Sequence, residues 1–432
     1  MMSDGQTQGC QKAYKTSQVM QIAALLLLSL FSLGQAQVAT PEATAEPQAL
    51  AEANPDGSVS YLLTYDEQIT YSALQTKCHN LNCTRIIYGV INALVVDRDP
   101  TAVSTLSADP LLSAQNINQQ VSLDYIFHDY VTIANASLER RPPWHLDRLN
   151  QIALPLDGFY ESNLTGVGAH IYLIDTGIQS NHSEFLNADA TGTRVVSGEW
   201  SFDGSNITED CNGHGTATAS LAGGRTVGTS PNATLHAIRA IGCDGTANIA
   251  DIIAAINYVA LNAIRPAVIS MSVGTPMLSE PLQTAVNNTV SLYNLSIVAA
   301  AGNDASDSCV NTPSRSVYVQ SVGATTIEDD VAVFSNRGKC VNVYAPGAQI
   351  YCANMDSGFQ VISGTSMSCP LASGIVAQYY EFNSTLQTWD ITDILYKSRT
   401  RGLSPNRGPP IIVIPPALSL LTGGIDVCIP SL

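Results

Sequence analysis

From about residue 169 onward the chain alternates between short, continuously apolar runs and longer segments with helical spacing. "AHIYLIDTG" (169–177), "ATLHAIRAI" (233–241), "PAVISMSVG" (266–274) and "LSIVAAAGN" (295–303) read as strands, and "VYVQSVGAT" (317–325) and "VNVYAPG" (341–347) continue the series. Between them, "ANIADIIAAINYVALNA" (247–263) places Ile252, Ile256, Val259 and Ala263 on one helical face, and "PLQTAVNNTVSLYN" (281–294) reads as a second helix. Strands that are apolar at nearly every position need cover on both faces. The pattern therefore predicts an α/β fold in three layers, with a mostly parallel sheet between helices.

Upstream the pattern is different. "SVSYLLTY" (58–65), "TRIIYGVINALVV" (84–96) and "QQVSLDYIFHDYV" (119–131) read as strands, and 69–81 has loose helical spacing. Together they predict a small α+β unit over 55–135. Residues 37–54 are rich in Ala, Pro, Glu and Gln and read as a linker. Ile22 to Leu33 is almost wholly apolar, is followed by Gly34-Gln35-Ala36, and is too short to span a bilayer, which predicts a signal peptide over 1–36 and secretion. A polar and basic stretch around Arg140 and Arg141 marks an exposed boundary suited to processing. The main domain is placed at 136–405. The tail at 406–432, with "IIVIPPALSLL", is read as packing onto it.

Composition narrows the partners. The chain has 36 acidic and 19 basic residues, a formal net charge of −17 and no basic stripe, so a nucleic-acid partner is not expected. No membrane span is expected beyond the leader, and a monomer is expected. Nine Asn-x-Ser/Thr sites accompany the leader, from Asn82 to Asn383, and mark a glycoprotein. On a secretory route disulfides are the default for cysteine. Cys10 precedes the leader core, Cys78 and Cys83 lie in the upstream unit, and the seven that remain are odd in number, so one at least is unpaired within the chain.

Four short stretches carry candidate chemistry. Asp175 ends an apolar strand in "YLIDTG", and His214 stands between glycines before a small-residue helix in "DCNGHGTATASLAGG". Asn303 ends another strand in "AAAGN", and Ser366 lies in "VISGTSMSCP", where Gly364 allows close backbone approach. Each alone also suits a turn, a cap or a loop. Together, in the order Asp, His, Ser, they follow the triad order of subtilisin-type hydrolases.

With "YLIDTGI", "NGHGT", "SMSVG", "AAAGND", "APG" and "SGTSMSCP", the chain resembles the subtilase family, in its proteinase K-like secreted branch, over about residues 142–400. The resemblance implies a serine endopeptidase made as a self-processing zymogen. Asp175, His214 and Ser366 would be catalytic and Asn303 an oxyanion donor. The upstream unit would be a ferredoxin-like inhibitory propeptide. Polypeptide substrates would add a strand against Ser270, Met271, Ser272, Val273 and Gly274. Ala299, Ala300, Ala301 and Gly302 would help wall a small, uncharged pocket suited to an apolar or aromatic side chain. Disulfides Cys211–Cys243 and Cys309–Cys340 are implied by the same branch, and Cys352–Cys369 is one option for the remainder.

The chain departs from the family pattern at Ala217, Thr275, Ser368-Cys369 and Leu371, none of which carries proton chemistry. No cofactor is expected and no Cys/His metal spacing is present. The family leaves structural calcium open, although Asn342 stands where one branch offers an acidic ligand. The competing class is a silent subtilase acting as a binding protein with its propeptide retained. An esterase would need a second glycine after the serine, which "GTSMS" lacks.

Overall fold

The computed structural model describes Asn54, residues 58–98, 109, 111–123, 142–187, 189–399 and 410–412. The leader, most of the linker, the Arg140–Arg141 boundary and nearly all of the tail lie outside the described residues.

The upstream unit is an antiparallel sheet of β1 (Val59–Tyr65), β2 (Arg85–Ile87), β3 (Asn92–Arg98) and β4 (Leu112–Ile117), in the order β2-β3-β1-β4. Helix α1 (Tyr71–Leu81) covers one face. Leu74 packs there among Val59, Tyr61, Leu63, Tyr65, Leu94 and Val96. Four strands and one helix of the expected α+β unit are described; residues 99–108 are outside the described set. The single strand expected at 84–96 is a hairpin, because the chain turns at Tyr88–Ile91 between two apolar strands. The last strand expected, 119–131, is not the one that closes the sheet. Leu112–Ile117 closes the sheet against β1, and β5 (Gln120–Leu123) leaves it.

The main domain is a seven-stranded sheet formed by β6 (His170–Asp175), β7 (Val195–Ser201), β8 (Thr234–Arg239), β10 (Ala267–Met271), β12 (Ser296–Ala300), β13 (Gln320–Thr325) and β14 (Val343–Pro346). The order is β14-β13-β12-β10-β6-β8-β7, and every pairing is parallel. Alternate residues of β6 serve different cores, as the apolar runs require. Ile171 and Leu173 pack with helices α3 (His214–Gly223) and α6 (Thr365–Phe382). Tyr172 and Ile174 pack with α4 (Ile249–Asn262) and α5 (Glu280–Tyr293). The second face of the upstream sheet, through Leu62, Ile87, Ala93 and Val95, joins that same α4–α5 core.

Local sequence sets the closest contacts. Gly374 of α6 has no room for a side chain, because a Cβ would lie 2.0 Å from Thr229 Oγ1 and 2.5 Å from Ala222 O. That residue lets α6 lie against the end of α3, where Thr229 and Ser230 donate to Leu371 O and Gly374 O at 3.0 and 2.7 Å. Of the tail, Pro410–Ile412 is described. Its backbone exchanges hydrogen bonds with Tyr344 at 3.0 and 2.8 Å, so it extends the sheet beside β14 and covers that edge.

Helix α2 (Trp144–Leu149) opens the main domain. Arg148 is held by Asp329 in a two-point pair, at 2.6 and 3.0 Å. His145 is fully buried, with Nε2 2.9 Å from Val227 O and Nδ1 without a partner. Burial pushes its pKa down to about 4, against the bond to Val227. The unfolded ring, near 6.5, binds its proton first as pH falls. The neutral buried ring is therefore fully stabilising above pH ~6.5 and loses about 3 kcal/mol by pH ~4. His145→Gln keeps a donor without titrating, so its melting temperature should fall less than wild type between pH 7 and 4.5. Equal slopes in thermal melts would remove His145 from the acid response.

Candidate active site

Asp175 is the last residue of β6 and His214 the first of α3, so one lies at a strand's carboxyl end and the other at a helix start beside it. In an open parallel sheet the crevice forms where the strand order reverses. Here that is at β6 and β10, whose following segments run to opposite sides. Gly213 makes the turn into α3 at φ +105°, a conformation strained for any residue with a Cβ. His214 Nδ1 lies 2.8 and 3.0 Å from the two Asp175 carboxylate oxygens. Asp175 also accepts from Thr176 N–H at 2.7 Å and Thr218 Oγ1 at 3.2 Å. The carboxylate fixes Nδ1 as the protonated ring nitrogen and leaves Nε2 as the basic one.

A second buried carboxylate shapes the loop. Asp210 accepts from Thr176 Oγ1, Asn212 N–H, Gly213 N–H, Thr216 N–H and Thr216 Oγ1, at 2.6–3.0 Å. It ties the strand end that bears Asp175 to the turn that bears His214.

Ser366 is the second residue of α6. Pro370, four residues on, has no N–H to give to Ser366 C=O. That carbonyl instead accepts from Ser272 Oγ at 3.0 Å, and Ser366 Oγ donates to Ser272 O at 3.2 Å. The proline thus couples the serine to the segment after β10. The neighbouring serines are occupied elsewhere: Ser363 Oγ accepts from Gln349 N–H at 2.9 Å, and Ser368 Oγ donates to Ala345 O and Pro346 O, both at 3.1 Å. Asn303 Oδ1 accepts from Thr365 N–H and Oγ1 at 2.9 and 3.0 Å, whereas its Nδ2 is buried without a partner. The amide is oriented with its donors uncommitted.

The expected substrate wall is only partly an edge. Ser270 and Met271 lie inside the sheet, paired on both sides as part of β10, and Ser270 Oγ accepts from Ser373 at 2.9 Å. The chain leaves the sheet after Met271, and only β11 (Val273–Gly274) offers backbone outward. Ala299 and Ala300 end β12, Ala301 and Gly302 follow it, and all four are buried. Sequence reasoning missed the opposite wall, β9 (Thr246–Asn248), a short polar segment with no strand pattern. Strand β5 lies between them, antiparallel to both, with Leu123 opposite Val273 and Gln120 opposite Asn248. Beyond it, Gln119 O and Asn118 Oδ1 accept from the first two N–H groups of α4 at 2.8 and 2.9 Å.

Both implied disulfides are present, Cys211–Cys243 before His214 and Cys309–Cys340 beyond Asn303, with a third at Cys78–Cys83. The Cys352–Cys369 option is not realised. Cys369 faces Met271 O and Val298 O on the sheet, while Cys352 lies in the hairpin strand β15 (Ile350–Ala353). Cys428 lies outside the described residues.

Among the described residues no group of three or more His, Cys, Asp or Glu could hold a metal ion. Two carboxylates, Asp147 of α2 and Asp157 beyond it, stand apart from Asp175, His214 and Ser366. Asp147 Oδ1 is buried without a partner and Oδ2 accepts from Gly158 N–H at 2.8 Å. Burial and the nearby Asp157 carboxylate raise the Asp147 pKa, against the Gly158 bond. An orphan carboxylate oxygen beside a second carboxylate suits a hard cation such as calcium. Also among the described residues, no helix is long and apolar enough to cross a membrane.

Residues 166–408 match the Subtilase family. The chain belongs to the subtilase family. It is 33% identical to alkaline serine exoprotease A of Vibrio alginolyticus, over 83% of this chain and 63% of that protein. It is 38% identical to an extracellular serine proteinase of a Thermus species, over 61% of this chain and 63% of that protein. It therefore spans somewhat less than two thirds of the length of these relatives. Its structure is similar to the crystal structure of a cold adapted subtilisin-like serine proteinase, with a TM-score of 0.60 and 36% identity, covering 63% of this chain and 98% of that one.

Peptide mapping without reduction should recover three linked pairs, Cys78–Cys83, Cys211–Cys243 and Cys309–Cys340. Burial raises the Cys352 thiol pKa and lifts that of Cys369 to about 11, so both should alkylate only after denaturation. Alkylation of Cys211 or Cys243 in the native protein would contradict the bracing of the His214 loop.

Proposed function

We propose that this subtilase is a secreted serine endopeptidase made as a self-processing zymogen, with Asp175, His214 and Ser366 as its triad. The observation that carries the reading is β5, an extended segment held antiparallel between β9 and β11. Its backbone partner β11 adjoins Ser272, which is bonded to Ser366. A groove that takes a strand on both edges recognises polypeptide backbone, and one that ends at an activated serine can cut it.

In the proposed reaction, Ser366 Oγ attacks the scissile carbonyl carbon while its proton passes to His214 Nε2. Asp175 holds the ring and stabilises the imidazolium. The carbonyl oxygen, now negative, is met by Asn303 Nδ2 and by Ser366 N–H at the start of α6, whose dipole favours the charge. The C–N bond then breaks, His214 gives its proton to the leaving amine, and an acyl-Ser366 remains. Water, deprotonated by His214, attacks that ester; the new acid leaves and Ser366 regains its proton.

The upstream unit at 55–135 acts as the inhibitor in this reading, with β5 paired to the groove walls, and the processed bond is placed beyond it, between Ala134 and Pro142. Structural calcium, where bound, would be held by Asp147 and Asp157 and would supply charge compensation to these carboxylates, with no part in the chemistry.

Ser366→Ala should accumulate as an uncut precursor and cleave no unfolded protein, while Ser363→Ala and Ser368→Ala mature. Normal maturation of Ser366→Ala, in cells without other secretory proteases, would sink self-processing. Asn303→Ala should lower kcat by roughly 10²–10³ with little change in KM, the loss typical of removing one oxyanion donor in a subtilisin. Chelation should lower the melting temperature of wild type and leave that of Asp147→Asn unmoved; equal effects would place the cation elsewhere.

A further inference from the structure

We infer that Asn336 is a positioning residue for the oxyanion donor Asn303, an assignment that rests on the proposed hydrolytic role of Asn303. Asn303 lies in an irregular segment after β12, whose last ladder bond runs from Ala301 N–H to Val322 O at 3.0 Å. No regular element therefore fixes residues 302–306. Their backbone is held at Gly302 N–H by Thr365 Oγ1, at 3.2 Å, and around Asn303 by Asn336. Its Oδ1 accepts from Asp304 N–H at 3.0 Å and from Ser306 N–H at 2.9 Å. Its Nδ2 donates to Ala301 O at 3.0 Å, and its own N–H donates to Gly302 O at 2.9 Å. One fully buried side chain thus holds the chain on both sides of Asn303. Neighbouring residues continue the clamp, Ala305 N–H to Phe334 O and Arg337 N–H to Ser306 O, each at 2.8 Å.

The amide orientation of Asn336 is set by its partners, since its oxygen meets two N–H donors and its nitrogen meets a carbonyl. The division of labour is then clear. Thr365, beside the nucleophile, orients the Asn303 amide and accepts from Gly302 N–H, and Asn336 holds the backbone from Ala301 to Ser306 around it. An oxyanion donor stabilises a charge only at a fixed point, and a displacement of about 1 Å at a reacting centre can cost on the order of 10²-fold in rate. Asn336 touches no substrate, so its effect must pass through Asn303.

The test is a double-mutant cycle on the mature enzyme, with kcat, KM and thermal melts. Asn336→Ala should lower kcat roughly tenfold or more with KM within about twofold. In the Asn303→Ala background the same change should lower kcat by no more than about twofold, because the donor it positions is gone. A full further loss in that background would overturn the positioning role and leave a purely structural one. Unchanged kcat in Asn336→Ala would overturn it as well. Near-full kcat in Asn303→Ala alone would instead bring down the oxyanion reading of Asn303 itself. Should Asn336→Ala not fold, Asn336→Ser, which keeps one acceptor, runs the same cycle with the same outcomes.

Discussion

A carboxylate taken out of water must be met by donors, and the two buried beside β6 organise the site. Asp175 and Asp210 are both nearly inaccessible. Leaving such a charge uncompensated would cost several kcal/mol. Each is therefore surrounded by N–H and hydroxyl groups from one strand end and one helix start. The imidazole of His214 is one of those donors, and its placement follows from the same requirement. The sharp turn at Gly213 and the Cys211–Cys243 bridge both serve to bring these donors to these acceptors.

The serine side is organised by a missing donor. Pro370 removes one helical hydrogen bond, and the vacated carbonyl binds Ser272. A residue that usually weakens a helix here links it to the segment after β10. The Asn303 loop is held from two directions, by Thr365 on the serine helix and by Asn336 behind it. The three candidate groups thus belong to separate elements joined by a few polar bonds, with the apolar cores lying beneath them.

Much of this was legible because burial on both faces writes itself into the sequence. Strands such as "AHIYLIDTG" are apolar without alternation, so the parallel sheet could be read directly, and with it Asp175 at a strand end; Asn303, expected to end a strand, lies three residues beyond β12. Short polar strands leave no such mark. "LSAQNI" of β4 and "TAN" of β9 gain their strand character from backbone pairing with distant segments, which no local pattern encodes. For the same reason 119–131 read as one strand, although its described part leaves the sheet for a groove. Asn336 and Asp210 were also silent: a buried polar residue is recognised only once its partners are folded around it.

Strand pairing beside Ser272 has a consequence for any chain that enters the groove. Side chains along a strand alternate between faces, so a slip of one residue turns every one of them over. A two-residue slip restores the faces but moves a different peptide bond to Ser366. The walls at β9 and β11 therefore act as a ruler graduated in pairs of residues. In the proposed reaction, which bond meets the hydroxyl then depends on the alternating side chains several positions away as well as on the residues at the bond.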